Sequence, residues 1–234
     1  MMSNNIHFHT FETKVDLIDK LSQSIAKNLQ DAIDKNGSAT LIVSGGSTPK
    51  PLFEKLRKIE IEWENVTIGL CDERWIDSSH KDSNEKFVKS NLLQEKANKA
   101  KFVGMYVDNL DAKEAVEICE AKIKTNLYPF DVLILGMGTD AHTASLFPNN
   151  PKLKEGLDPK NKKLCIQIEP QDAPHIRMSL TLQAILSTKH LYLHFEGEKK
   201  LNIYKEAIEG KDIYTMPIRS ILHQDKKDVE VYYA

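Results

Sequence analysis

The stretch "ATLIVSGGSTPKPLFEKL", residues 39–56, sets a short apolar run against two glycines and an amphipathic segment opened by proline. The run over 39–45 reads as a buried strand. Gly45 and Gly46 permit positive φ and close backbone approach. Ser47 or Thr48 can cap a helix that holds Pro49 in its first turn. A strand that feeds a helix through a glycine turn is the start of a βαβ unit.

The same alternation extends in both directions. Before it, Val15, Ile18, Leu21, Ile25, Leu29 and Ile33 recur every three or four residues, which predicts a helix over 13–35. After it, strands are expected at 65–73, 101–106, 130–136, 163–168, 189–197 and 228–234. Helices are expected over 111–126 and within "GEKKLNIYKEAIEG". Strands separated by helices imply right-handed crossovers and a parallel sheet covered on both faces. The expected fold class is α/β: a three-layer α/β/α, Rossmann-like arrangement with a mostly parallel, doubly wound sheet. The polar segment 149–162 reads as a surface excursion, so residues 1–234 are expected to form a single domain.

Composition excludes several classes. With 32 basic and 34 acidic residues the net charge is −2, which gives no footprint for nucleic acid or an anionic membrane face. The opening "MMSNNIHFHTFETKVDLIDK" has no apolar core or cleavage site, so no signal peptide is expected. No run reaches the ~18 apolar residues of a membrane span. Cys71, Cys119 and Cys165 are odd in number and lack CxxC spacing, as expected of buried thiols in the cytoplasm.

In open α/β sheets ligands lie beyond the carboxyl ends of strands, and three loops qualify. The Gly45-Gly46-Ser47 turn can offer backbone N–H groups to an anion. It lacks the Walker pattern and the nucleophile-elbow pattern; the alternative, less favoured, is a turn that merely connects strand to helix. In "CDERWIDSSHKDSNEKFV", Asp72, Glu73 and Arg74 follow an apolar run directly, and Ser83 is placed to cap a helix from Asn84. His80 has no partner at metal-ligand spacing. In "LILGMGTDAHTASLFP", residues 133–148, "GMGTDA" formally matches the dinucleotide fingerprint. Pro148 and Pro151 leave little room for the long helix this requires, and no acidic residue ends a following strand, so a nicotinamide cofactor is not expected. What remains is a glycine turn presenting Asp140 and His142. An imidazole with a pKa near 6.5 can take a proton at neutral pH, though a lone histidine is more often a satisfied structural residue than a base. Arg177 and Lys200 are further candidate cations. A lysine at a helix start conflicts with the dipole unless an anion is near, and Lys199 could serve in place of Lys200.

Taken together, "SGGSTP", "DERW…H…SN", "LGMGTDAHTASLFP" and "RMSLTL…GEKK" resemble, in order and spacing, the 6-phosphogluconolactonases of the glucosamine-6-phosphate isomerase/6-phosphogluconolactonase family. The resemblance runs from about residue 8 to the last strand. Related deaminases usually read "LDEY" and "HIAFNEP" where this chain has "CDERW" and "HTASLFP". The resemblance implies hydrolysis of 6-phospho-D-glucono-1,5-lactone to 6-phosphogluconate in the oxidative pentose phosphate pathway, with no metal or organic cofactor. It implies His142 as general base, Asp140 positioning it, Arg74 at the lactone and Asp72 shaping the cleft. The phosphate would lie on Gly45, Gly46 and Ser47, with Arg177 and Lys200 as charged partners. The expected partner is the sugar-phosphate lactone alone, the expected state a monomer.

The rivals are a sugar-phosphate deaminase or isomerase, using Asp72 as base, and a non-catalytic sugar-phosphate sensor. A regulator of the second kind would carry a DNA-binding module, for which the chain leaves no room before the helix near residue 13. One position departs from the family pattern. Ala141 stands where the family usually has glycine, and a negative φ is expected there.

Overall fold

Thr13 accepts a hydrogen bond from the backbone N–H of Asp16 and so starts helix α1, Lys14–Asn36. Gly37, at φ +78, ends it, donating its N–H to the Ile33 carbonyl. The face formed by Leu17, Leu21, Ile25 and Leu29 is fully buried, whereas Val15, expected on that face, is 70% exposed. The computed structural model describes residues 5–234; the first four residues of the stretch read as lacking a signal peptide lie outside the described residues.

Among the described residues, seven strands form a parallel sheet: β1 (Ile6–Thr10), β2 (Ala39–Val43), β3 (Val66–Leu70), β5 (Lys101–Phe102), β6 (Val132–Leu135), β9 (His190–Phe195) and β10 (Val229–Tyr233). Their order is β1-β10-β9-β6-β2-β3-β5, and every neighbouring pair is parallel. All four residues of β6 are buried, as a strand covered on both faces requires. From β2 the chain builds outward through β3 to β5, then returns to place β6 on the opposite side of β2. The ends of β2 and β6 are therefore the topological switch point, where this architecture opens a crevice.

A second sheet was not anticipated. The run 65–73 breaks at Cys71: β3 ends at Leu70, and β4, Asp72–Arg74, joins a three-stranded antiparallel sheet in the order β4-β8-β7. Its other strands are β7, Cys165–Ile168, and β8, Arg177–Leu180. Cys71 links the sheets, donating its N–H to the Val43 carbonyl and accepting from the Leu180 N–H. The 163–168 run thus belongs to the small sheet rather than the parallel one.

The remaining helices are α2 (Lys50–Leu56), α3 (Asn84–Asn91), α4 (Val116–Asn126), α5 (Leu153–Gly156), α6 (Leu182–Leu186), α7 (Glu198–Glu209) and α8 (Arg219–Leu222). Three boundaries correct the expectations. The 101–106 run supplies only the two residues of β5, the 111–126 helix begins at Val116, and the 149–162 excursion contains α5, with Leu153 and Leu157 buried. Strand β1 was not anticipated either. It lies at the sheet edge, where a half-exposed "IHFHT" carries little apolar signal. All three cysteines are buried thiols, and burial pushes their pKa values up, that of Cys119 to about 11.

Candidate active site

A cavity of about 250 Å³ opens at the switch point. The loop after β2 contributes Ser44 to Pro49, the loop after β6 contributes Gly136 to Gly138 with His142 and Ala144, and Asp72, Arg74, Asn84, His194 and Lys200 complete its polar lining. Ser44 Oγ donates to the Ile134 carbonyl at 3.1 Å and so ties the two principal loops together.

The glycine turn is shaped by its neighbours. A Cβ on Gly45 would sit 2.0 Å from Asn84 Oδ1, and Gly46 adopts φ +99, so both positions require glycine. Helix α2 begins at Lys50 with Pro49 as its N-cap and no side-chain capping bond, so neither Ser47 nor Thr48 caps it. Those two residues remain on the cavity wall.

At the second loop, Asp72 accepts from Ser145 Oγ at 2.6 Å, and its backbone carbonyl accepts from Asn84 Nδ2 at 2.9 Å. Glu73 is fully buried and turns away to hold the start of α3. Its carboxylate accepts from the N–H groups of Asn84 at 2.8 Å and Glu85 at 2.7 Å, from Ser83 Oγ at 3.0 Å, and from the Arg74 N–H at 2.6 Å. Ser83 caps the helix locally by accepting from the Lys86 N–H, as expected. Glu73 is thus a remote cap that fixes Asn84 at the cavity, a role invisible to a search for local capping boxes.

Arg74 lines the cavity and donates through Nη1 to the Asp82 carbonyl. Arg177 stands opposite it in the β4–β8 register, is buried, and is not part of the cavity lining. Its Nη1 finds no hydrogen-bond partner among the described residues. Burial, and next the charge of Arg74, push its pKa down. Of the cations expected at the phosphate, Lys200 is on the cavity wall, and Arg177 is buried beside Arg74 in the neighbouring strand.

The third loop holds the pair the sequence singled out. Asp140 Oδ1 lies 2.5 Å from His142 Nδ1 and also accepts the His142 backbone N–H at 3.1 Å. Burial works against ionisation of Asp140, but the hydrogen bonds and charge of His142 outweigh it and hold the carboxyl below its usual range. With Nδ1–H donated to Asp140, the Nε2 lone pair is free for another proton. The imidazole packs on Phe147 with ring centres 4.7 Å apart. A Cβ on Gly138 would lie 2.2 Å from His142 Nδ1, so glycine is required for the ring to sit there. Ala141 departs from expectation: it is fully buried at φ +65, the left-handed region that favours glycine. Its carbonyl accepts the Ile218 N–H at 3.0 Å, and its N–H donates to the Gly138 carbonyl at 3.1 Å. The tertiary fold therefore keeps the turn the glycine would make.

At the far wall, Lys200 faces the cavity in the first turn of α7 while Lys199 is exposed, which separates the two candidates. Burial pushes the Lys200 pKa down, with Glu196 pulling the other way. Beside it is a residue the sequence reading missed, His194, 2% exposed and part of the cavity wall. Its Nε2 lies 3.3 Å from Glu196 Oε1, close enough to attract but not aligned as a hydrogen bond. Glu196 also pairs with Lys14 at 2.8 Å, and its pKa falls to about 2, His194 being the largest cause. The polar signal lay in plain view in "HLYLHFEG", where one histidine interrupts the end of a buried strand.

His80, read as lacking metal-spaced partners, has two in space. His80, Asp82 and His175 each place a ligand atom within 4.8 Å of the others. The separation in sequence hid this.

The fold and the site define a doubly wound α/β protein with a carboxylate-held histidine and a glycine turn facing each other across the switch-point crevice. The chain belongs to the family of glucosamine-6-phosphate isomerases/6-phosphogluconolactonase, whose model matches residues 12–231. A 6-phosphogluconolactonase of Pseudomonas putida is 40% identical over 231 residues, covering 98% of this chain and 93% of that one. One from Rhizobium meliloti is 37% identical over the full length of both chains. The crystal structure of a 6-phosphogluconolactonase from Shewanella baltica superposes with a TM-score of 0.95 at 40% identity, covering 100% of this chain and 99% of that one.

Proposed function

We propose that this chain hydrolyses 6-phospho-D-glucono-1,5-lactone to 6-phosphogluconate in the oxidative pentose phosphate pathway. The observation that carries the reading is the Asp140–His142 pair on one side of a cavity that holds the Gly45–Gly46–Ser47 turn and Lys200 as well. The near-full-length relatives of that name support the substrate.

His142 Nε2 takes a proton from water as the oxygen attacks lactone C1. Asp140 keeps Nδ1–H in place and favours the imidazolium that forms. Negative charge gathers on the former carbonyl oxygen, where the Arg74 guanidinium stabilises it. Collapse of the tetrahedral intermediate breaks the bond from C1 to the ring oxygen, and the imidazolium returns its proton to that oxygen. The new carboxylic acid then ionises to solvent. Asp72, held by Ser145 and Asn84, shapes the wall beside C1. The phosphate rests on the backbone of Gly45, Gly46 and Ser47 and pairs with Lys200. Fixing that remote group places C1 at the base, which is how binding energy is turned into rate. Arg177, beside Arg74 across the β4–β8 pair, adds positive charge for the phosphate.

One chain supplies every group in this scheme, so we take the protein to act as a monomer, in the cytoplasm where the sugar phosphate is made. Among the described residues no helix is long and apolar enough to cross a membrane.

The test follows lactone generated in situ, read against its spontaneous opening, with wild-type protein, His142→Ala and no protein. Acceleration that collapses to background in His142→Ala supports the scheme. Acceleration surviving in the variant removes His142 from it, and none with folded wild type removes the activity.

A further inference from the structure

We propose that His80, Asp82 and His175 form a binding site for one divalent ion of the zinc class, which pins the loop carrying Asp82 to the loop entering β8. This goes beyond the hydrolytic reading and does not depend on it.

The geometry comes first. Zinc bonds of about 2.0–2.2 Å in a tetrahedron put neighbouring ligand atoms roughly 3.3–3.6 Å apart. Asp82 Oδ2 is 3.2 Å from His175 Nε2 and 3.8 Å from His80 Nδ1. The ligand atoms of all three residues lie within 4.8 Å of one another. Only the exposed His80 ring has to swing inward to close the triangle. Its Nδ1 lone pair already points that way, accepting the Asp82 N–H at 3.2 Å, and a coordination bond would replace that contact. The two rings meet edge to face with centres 5.7 Å apart. His175 is held at φ +69, a left-handed conformation that directs its side chain back toward Asp82.

The donor set selects the ion. Two imidazoles and one carboxylate suit zinc and its neighbours, whereas magnesium and calcium ask for oxygen ligands. Lys81 is adjacent, and Arg74 bonds the Asp82 carbonyl, so an ion held by charge alone would be repelled. Coordination by nitrogen overcomes that. Three protein ligands leave a position for water.

The consequence lies one peptide from the cavity. The same residue that would give its carboxylate to the ion gives its backbone carbonyl to Arg74, so a bound ion fixes the Arg74 side chain.

The experiment titrates Zn²⁺ against a chromophoric chelator, using metal-stripped full-length protein. Wild type is compared with His80→Ala, His175→Asn and His142→Ala; asparagine tolerates the left-handed backbone at 175. We expect one zinc per chain, a loss of affinity of about tenfold or more in His80→Ala and in His175→Asn, and none in His142→Ala. Zinc should also raise the Tm of wild type but not of His80→Ala. Absence of saturable binding overturns the proposal. So does stoichiometric binding that survives both histidine variants, or that is lost only in His142→Ala, which would move the metal to the Asp140–His142 pair.

Discussion

Asp140 holds His142 twice with a single oxygen: Oδ1 accepts the ring Nδ1–H at 2.5 Å and the backbone N–H at 3.1 Å. One carboxylate thus fixes both the tautomer and the orientation of the ring. Removing the base in His142→Ala should lower kcat by about 10²–10⁴-fold. Asp140→Asn keeps the shape but loses the charge that favours the imidazolium. It should cost roughly tenfold or more in kcat with little change in KM. Steady-state assays at neutral pH decide this; an unchanged kcat in Asp140→Asn removes its role.

Ala141 sets two opposing contributions against each other. Its φ of +65 costs an alanine about 1–2 kcal/mol relative to glycine, while its buried methyl is worth about 0.8 kcal/mol. Ala141→Gly should therefore lie within about 1 kcal/mol of wild type, on the stabilising side, and keep its activity. Ala141→Val places a β-branched residue at positive φ in a filled space and should lose about 2 kcal/mol or more. Urea unfolding of the two variants measures both.

Much of this was legible beforehand because it is local. Alternating apolar runs gave β2, β6 and β9 within a residue or two, and the glycine turn and Asp140–His142 sit where short motifs put them. What stayed hidden depends on residues far apart in sequence. The small antiparallel sheet needs β4, β7 and β8 to meet across more than ninety positions, and none of the three carries a distinctive period. Ala141's φ is imposed by Gly138 and Ile218, not by its own side chain. Arg177 reads as a phosphate partner from its chemistry, and its place beside Arg74 is set by a strand register the sequence does not show.

Glu73 is a second long-range device. Truncation in Glu73→Ala leaves the N–H groups of Arg74, Asn84 and Glu85 without their acceptor in a buried site. The expected loss is about 3 kcal/mol or more. Because α3 carries Asn84 into the cavity, kcat/KM should fall as well, even below the melting transition. Chemical denaturation with parallel assays tests both; an unchanged denaturation midpoint in Glu73→Ala would refute the capping role.

Glu196 makes stability sensitive to acid. Its pKa drops from 4.5 to about 2 in the fold, with His194 the largest cause and Lys14 next among its partners. A depressed carboxyl stabilises above its unfolded pKa and loses that contribution as pH falls through the folded one. Wild type should therefore shed stability between about pH 4.5 and 2, and Glu196→Gln, less stable at neutral pH, should show a shallower decline. Equal slopes in the two proteins would show that Glu196 is not the group responsible.

Lys200 couples anion binding to protons in the opposite range. Burial lowers its pKa from 10.5, with Glu196 pulling the other way, and a phosphate dianion beside it would raise it. Binding should then take up protons on the alkaline side, and affinity should fall as pH rises through the depressed value. The lactone is too labile for this range, so the product, 6-phosphogluconate, is the probe. Calorimetry in buffers of differing ionisation enthalpy counts the protons. Lys200→Arg keeps its charge throughout and should flatten the pH dependence, whereas Lys200→Ala should weaken binding at every pH. A proton count of zero in wild type up to pH 10 would take Lys200 out of the phosphate site.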